Sequence, residues 1–223
     1  MPANEVSARH AVAAADVRRD YEPLAATFEE RWRRFHAATR NWVLANWPEA
    51  LPEGARILDI GCGVGGFLAA LAERQPGLSL YGADIVPAMI GRARRLAPTA
   101  ALAVADAQHP PFAPSSFDAI VSLNILHHLE DPNAHLAALA SLCRPGGTII
   151  VSTFAGGRTW RMRFADWWLK GRNPAWHGML SSGALQALIA GQPGLIPVAA
   201  VEIKADRWWW LQLHRLDKRP DAG

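Results

Sequence analysis

Three aspartates stand at matching places in this chain, each at the end of a short apolar run: Asp59 in Ile57-Leu58-Asp59-Ile60, Asp84 closing LSLYGAD, and Asp106 closing AALAVAD. Directly after the first comes Gly61-Cys62-Gly63-Val64-Gly65-Gly66. An apolar run, a glycine-rich turn and then a helical stretch is an arrangement that brings backbone N–H groups close to a nucleotide-like ligand. Gly61, Gly63 and Gly66 satisfy the dinucleotide spacing G-x-G-x-x-G, but a plain strand–helix turn satisfies it too.

Asp59 separates the ligands. A dinucleotide would set its pyrophosphate against this loop, and a carboxylate about 5 Å away at an effective dielectric of about 20 would repel it by roughly 3 kcal/mol. S-adenosylmethionine carries no phosphate, and its amino-acid end carries an ammonium group that a carboxylate attracts. Asp84, with Ile85 beside it, suits the two ribose hydroxyls, since a carboxylate accepts two hydrogen bonds at once. Asp106 can accept from an adenine amine, and the Ala107 N–H can meet a ring nitrogen. Asn124, at the end of the next apolar run, is a candidate contact to the methionine part.

His127 and His128 follow that run, where the transferred methyl would lie. Either can act as a general base near neutral pH, or one can pack on the donor while the other bonds backbone. Cys62 fills a small-residue slot in the turn, with no cation nearby in sequence to lower its pKa. The remaining histidines show no metal-ligand spacing, so no metal is expected.

The elements that must position these groups follow from the pattern between Arg56 and Ser152. Short apolar runs alternate with helical stretches, the signature of parallel strands covered on both faces: a doubly wound α/β sheet. Its ligands bind at the carboxyl ends of the strands, where all three aspartates fall. Asp131-Pro132 reads as a helix N-cap and first turn, and Arg144-Pro145-Gly146-Gly147 as the end of that helix. The expected division is one domain over residues 1–223: a helical N-terminal cap over 1–50, a donor-binding core over 51–155, a Trp-rich lid or insertion over 156–180, and a C-terminal helix and hairpin over 181–223. The cap carries an apolar stripe of Trp32, Phe35, Ala38 and Trp42. The hairpin pairs PVAAVEI with RWWWLQLH across Lys204-Ala205-Asp206, with Ser181 or Ser182 capping the helix before it. Within Trp208-Trp209-Trp210, strand alternation sends at least one ring to the core and its neighbour outward.

Trp160, Phe164, Trp167 and Trp168 recur at one-face helical spacing, with Arg161, Arg163 and Lys170 off that face. The face can pack as core, line a lid over an apolar acceptor, or touch a membrane surface. With half of its 223 residues apolar, a charged fraction under a fifth and a net charge of +3, the chain can build a sizeable core and does not require an acidic partner. Two cysteines make no disulfide framework, no apolar run approaches the ~20 residues of a membrane span, and the N-terminus has no signal-type apolar stretch, so a cytoplasmic protein is expected.

ILDIGCGVGG, YGADIVPAMI, the Asp106 segment with PPFAPSSFDAIVS, LNILHHLEDP and LCRPGGTIIVS occur in the order found in class I, Rossmann-like methyltransferases, and the chain most resembles the ubiquinone/menaquinone-biosynthesis group among them. The resemblance covers about residues 50–155. It implies a seven-stranded, mostly parallel sheet with the last strand antiparallel, S-adenosylmethionine as donor and S-adenosylhomocysteine as product. The stretch Asp20-Tyr21-Glu22-Pro23-Leu24-Ala25 with Arg31-Trp32 is similar to the helix that closes over the donor in many members, so Tyr21 and Arg31 are candidate donor contacts, Arg31 toward its carboxylate.

The expected activity is methyl transfer to a small acceptor, apolar or aromatic in view of the tryptophans. The alternatives are a tRNA-modifying methyltransferase and a non-catalytic donor-binding partner. A nucleic-acid partner is disfavoured because the arginines alternate with acids and tryptophans instead of forming a basic face. Oligomeric state is left open.

Overall fold

The structure, a computed structural model, describes residues 13–49 and 51–220. Residues 1–12 of the expected N-terminal cap lie outside the described residues.

The chain opens with three helical segments: residues 13–21 (α1), Phe28–Arg31 (α2) and Arg33–Ala45 (α3). The buried stripe of α3 is Phe35, Thr39 and Val43, displaced by one residue from the expected Ala38. The displacement has a polar cause, because Thr39 Oγ1 accepts a hydrogen bond from the Asn124 side chain at 3.0 Å.

The core alternates strand and helix: β1 (Arg56–Ile60), α4 (Gly66–Arg74), β2 (Ser79–Asp84), α5 (Pro87–Leu96), β3 (Ala101–Val104), β4 (Phe117–Leu123), a 3₁₀ turn (Leu126–His128), α6 (Pro132–Leu142) and β5 (Cys143–Phe154). β1, β4 and the second half of β5 are buried on both faces, as strands between two helical layers must be. Asp131 caps α6 as expected, its carboxylate accepting from the N–H groups of Asn133 and Ala134 with Pro132 in the first turn. Such a cap is worth about 1 kcal/mol. α7 (Trp160–Lys170) and α8 (Ser182–Ala190) follow, α8 capped by Ser181.

The seven strands run in the order β3-β2-β1-β4-β5-β7-β6, with β6 at Leu195–Asp206 and β7 at Trp209–Lys218. β7 is antiparallel to β5 and β6, and the pairs from β3 through to β5 are parallel. The closing hairpin turns two residues later than expected. Lys204-Ala205-Asp206 continue β6, and Arg207-Trp208 form the turn. The Arg207 N–H donates to Asp206 Oδ1 at 2.7 Å, a local side-chain turn that stops the strand at Asp206. Trp208, being in that turn, leaves the alternation, and all three tryptophans sit half-buried against the core, so the expected split into one core ring and an outward neighbour does not occur.

Of the three roles open to the aromatic face of α7, packing as core is the one the structure excludes. Met162 is fully buried and Leu169 packs on the core, whereas Trp160, Phe164, Trp167 and Trp168 are 71%, 57%, 69% and 44% exposed. The aromatic face is therefore not core. Sequence spacing marks a face but not its direction, and here the slimmer aliphatic face fits the space above the sheet.

Candidate functional site

The strand order reverses between β1 and β4, and one cavity of about 910 Å³ opens at the carboxyl ends of these strands. That is where open α/β sheets bind ligands. Its volume lies near the top of the roughly 300–1,000 Å³ range of small-molecule sites.

One end is built by the glycine turn after β1. The N–H groups of Gly61 and Cys62 both donate to the Ala83 carbonyl, at 2.7 and 3.0 Å, tying the turn to β2. Gly61 has φ +77°, and a Cβ there would stand 2.5 Å from Ile125 Cγ2, so only glycine lets the β1 and β4 ends approach. Gly63 fits beneath the Phe28 ring, 3.2 Å from where its Cβ would be. Gly65 lies outside the cavity wall; it starts α4 at φ +83° and allows α4 to touch Ala93 of α5. Its role is in packing.

Asp59, the next-to-last residue of β1, is 2% exposed, and its Oδ1 is buried without a hydrogen-bond partner among the described residues although the residue lines the cavity. Burial, with the Asp84 charge adding to it, pushes its pKa up to about 8. An orphaned acid at this place calls for a donor group from a ligand. Asp84 is held differently: Oδ2 accepts from the Gly63 N–H and Oδ1 from the Val86 N–H, each at 2.9 Å. Burial raises its pKa and the two N–H groups oppose the rise. Both oxygens keep a second lone pair, so the carboxylate is oriented without being used up. Asp106 accepts from the Gln108 N–H at 2.9 Å, and the next carbonyl, of Ala107, accepts from His135 Nδ1 at 2.9 Å. Ile85, Asp106 and Ala107 all line the cavity. Cys62 is buried, and burial holds its thiol pKa well above the usual value, so it is no nucleophile.

The helices before β1 close over this end. Arg18 Nε donates to the Ile85 carbonyl at 3.0 Å, and Ala25 packs with Val64, Val86 and Met89. Tyr21 places its hydroxyl 2.7 Å from His128 Nε2, while His128 Nδ1 lies 2.6 Å from the Ala175 carbonyl. A carbonyl only accepts, so Nδ1 carries the proton and Nε2 accepts from Tyr21. Burial lowers the His128 pKa to about 4 and raises that of Tyr21. His127 is also buried neutral, its pKa well below the usual value, with Nδ1 3.3 Å from Thr153 Oγ1. Asn124 has φ +59°, donates through its amide to Thr39 and accepts from Ser152 Oγ at 3.1 Å. Both ends of its side chain thus tie α3 to the sheet.

Arg31 lines the cavity, but its side chain is exposed beside the Trp32 ring. The cation next to the glycine turn is Arg40, which pairs with Glu29 at 3.5 Å; a Cβ on Gly66 would lie 3.4 Å from Glu29 and 3.7 Å from Arg40. Its only sequence signal is that it stands four residues after His36, itself bonded to Glu29 at 2.9 Å.

Beside the glycine turn the cavity is walled by an arc of aromatic rings. Tyr21 meets His128 edge-on at 5.1 Å between centroids, His128 meets His127 at 4.1 Å, and His127 meets Trp176 and Phe154 at 4.6 and 4.8 Å. Phe154 continues to Trp209 at 5.0 Å and to Phe35 at 5.7 Å, and Phe35 to Trp32 at 5.5 Å. All of these residues line the cavity. Trp32 Nε1 is buried there without a partner. Sequence reasoning missed this arc because its members come from six separated segments.

Residues 30–191 match the family described as "Methyltransferase domain". The chain is 35% identical over 160 residues to the ubiquinone biosynthesis O-methyltransferase of Cereibacter sphaeroides strain KD131, covering 66% of this chain and 62% of that protein. It is 35% identical over 115 residues to the 2-methyl-6-phytyl-1,4-hydroquinone methyltransferase of Synechocystis, covering 49% of this chain and 36% of that one. The chain thus spans less than two thirds of either relative. In fold it is similar to the magnesium protoporphyrin IX methyltransferase of Synechocystis solved with S-adenosylhomocysteine (TM-score 0.66, 22% identity, 91% of this chain and 98% of that one). It is likewise similar to a Haloferax volcanii methyltransferase solved with its Trm112 activator (TM-score 0.73, 20% identity, 90% and 97%).

Proposed function

Because this chain belongs to the methyltransferase-domain family, we propose that it transfers a methyl group from S-adenosylmethionine to a small, flat, aromatic acceptor of quinol or phenol type. One observation carries the reading: a single cavity of about 910 Å³ is lined both by an acidic glycine turn and by an aromatic arc, room and chemistry for two different ligands.

The residues fit the donor. The unpartnered carboxyl of Asp59 would receive the ammonium group, Arg40 the carboxylate, Asp84 the ribose hydroxyls, and the Asp106–Ala107 segment the adenine. The donor supplies a methyl group already activated on a positively charged sulfur. What this chain contributes is alignment, which in a well-oriented site lowers a barrier by roughly 7–11 kcal/mol. The rings of Phe154, Trp176 and Trp209 hold a flat acceptor, the buried Trp32 N–H can donate to one of its oxygens, and the cover formed by α1 and α2 keeps water out. Where the acceptor arrives protonated, its hydroxyl proton passes to the Tyr21 oxygen as the Tyr21 proton moves to His128 Nε2, which is unprotonated at neutral pH.

We read all 223 residues as one methyltransferase domain. Among the described residues no helix is long and apolar enough to cross a membrane; a cytoplasmic setting with membrane-surface contact through Trp160, Phe164, Trp167 and Trp168 belongs to this reading, and the two buried free cysteines suit a reducing compartment. An enclosed aromatic arc suits a small acceptor better than a tRNA strand.

The test begins with calorimetric titration by S-adenosylmethionine, S-adenosylhomocysteine and NAD, followed by labelled-methyl transfer to simple quinols and catechols. Micromolar binding of the two sulfur nucleosides, none of NAD, and label in a phenolic product are expected. A folded sample that binds neither sulfur nucleoside would overturn the reading.

A further inference from the structure

The aromatic face of α7 is turned away from the protein, and the packing of the helix shows that this is its settled orientation. At 100° per residue, Met162, Ala165 and Leu169 point one way, and Met162 is fully buried and Leu169 packed on the core. Trp160, Phe164 and Trp167 point the opposite way, into solvent, and Trp168 stands at the edge between that face and the cavity. The helix is not free to roll. Asp166 accepts from the Trp176 indole N–H and from the Met179 N–H, each at 2.9 Å, and pairs with Lys170 at 3.0 Å, pinning the inner side. A helix with two apolar faces, one already satisfied, has its second face for something else.

We propose that this face docks on an anionic lipid membrane and that an apolar acceptor passes from the lipid along Trp168 into the cavity. Charge selects the occupant. Arg161 and Arg163 flank the aromatic face on its two sides, and Arg172 lies 4.9 Å from the Trp168 ring centroid. All three are exposed and none has a carboxylate in ion-pair range among the described residues. Indole rings bordered by unpaired guanidinium groups suit the interface of a bilayer with negative headgroups, where the rings sit at the apolar boundary and the cations meet phosphate. Trp168 supplies the route: it is 44% exposed and also lines the cavity, as do Leu169 and Arg172, so one side chain belongs to both surfaces. The proposal rests on the methyl-transfer reading only for the reacting end of the acceptor; docking itself does not depend on it.

The experiment is flotation of the full chain with vesicles of phosphatidylcholine alone and of phosphatidylcholine with one third phosphatidylglycerol, beside calorimetric titration with S-adenosylmethionine. The comparison variant carries Trp160→Ser, Phe164→Ser and Trp167→Ser, three side chains that are exposed and outside the cavity wall. Expected is binding to the anionic vesicles at least tenfold stronger than to the neutral ones, weakened by 0.5 M salt, and a tenfold or greater loss in the triple variant, whose circular dichroism and donor titration match the parent. Absence of parent binding to anionic vesicles would overturn the proposal, as would equal binding to both vesicle types or an unchanged triple variant. A parent that self-associates and is made monomeric by the triple substitution would assign the face to a second copy and overturn it too. Failure of the donor titration with vesicle binding intact would strike the methyl-transfer reading and leave docking standing.

Discussion

At the scale of single residues, Asp59 links proton and ligand binding. Its pKa in the free protein is about 8, so at neutral pH it is mostly protonated, whereas an ammonium partner favours the ionised form. Donor binding must then expel a proton below pH 8. Affinity for S-adenosylmethionine should rise from pH 6 to pH 8 and level off above, and calorimetry in buffers of different ionisation enthalpy should register the released proton. Asp59→Asn removes a hydrogen bond to a charged group, worth about 1.5–3 kcal/mol, and should weaken the donor by roughly 10–100-fold. The same substitution should stabilise the free protein. Between the ordinary carboxylate value near 4 and the folded value of about 8, the folded state keeps a proton that the unfolded chain releases, so Asp59 lowers stability as pH rises through that window. Thermal melts should show the asparagine variant gaining more at pH 8 than at pH 5; an equal gain at both would refute the assignment. Tyr21 and His128 form one relay, so Tyr21→Phe and His128→Ala should each slow methylation of a phenol by roughly 10²-fold or more, and the double variant should be no slower than the worse single one. Effects that multiply would mean that the two residues act separately.

At the scale of elements, the glycine turn and α3 carry distinguishable tasks. Gly61→Ala puts a Cβ 2.5 Å from Ile125 at φ +77°, which should cost about 1–3 kcal/mol and lower the melting temperature by roughly 2–10 °C. Gly54 also has positive φ, but nothing lies within 4 Å of its would-be Cβ, so Gly54→Ala is the control that isolates the close approach from the backbone strain. On the helical side, Arg40 stands at the glycine turn and Arg31 at the exposed rim. Arg40→Ala should therefore weaken donor binding about tenfold or more, and Arg31→Ala by much less, as read by titration. The reverse order would return the carboxylate to Arg31.

At the scale of the whole molecule, one cavity is closed by three segments far apart in the chain, and His128 touches two of them: Tyr21 in the N-terminal cover and Ala175 in the loop after α7. The N-terminal cover and the loop after α7 are thereby mechanically joined through His128. Of residues 13–32 only Ala25 is buried, so the donor should protect them: limited proteolysis in its presence should slow cleavage in α1 and α2 several-fold. Equal cleavage with and without the donor would argue that the cover is closed in both states.

Local rules were enough to read the sheet. The apolar runs, the Asp131 cap and the strand positions of Asp59 and Asp84 depend on contacts a few residues apart and stand where they were expected, whereas β3 stops at Val104, two residues before Asp106, and Arg144-Pro145-Gly146-Gly147, expected to end α6, belong to β5. The turn of the last hairpin was missed by two residues because one side-chain hydrogen bond, from the Arg207 N–H to Asp206, outweighed the pattern around it. Periodicity found the aromatic face of α7 but not its direction, since an amphipathic stripe specifies a surface and the sheet beneath decides which surface fits. Arg31 and Arg40 show the same limit: both lie on polar helix positions, and the structure sets Arg40 beside the glycine turn and Arg31 at the exposed rim of the same cavity. The sequence by itself determined the fold class and the acidic glycine turn, because a tight turn and strand-end acids are local and chemically specific. Tertiary structure alone decided the aromatic wall of the cavity, because the rings of Tyr21, Phe35, Phe154, Trp176 and Trp209 carry no shared spacing and become a surface only when the sheet brings their segments together.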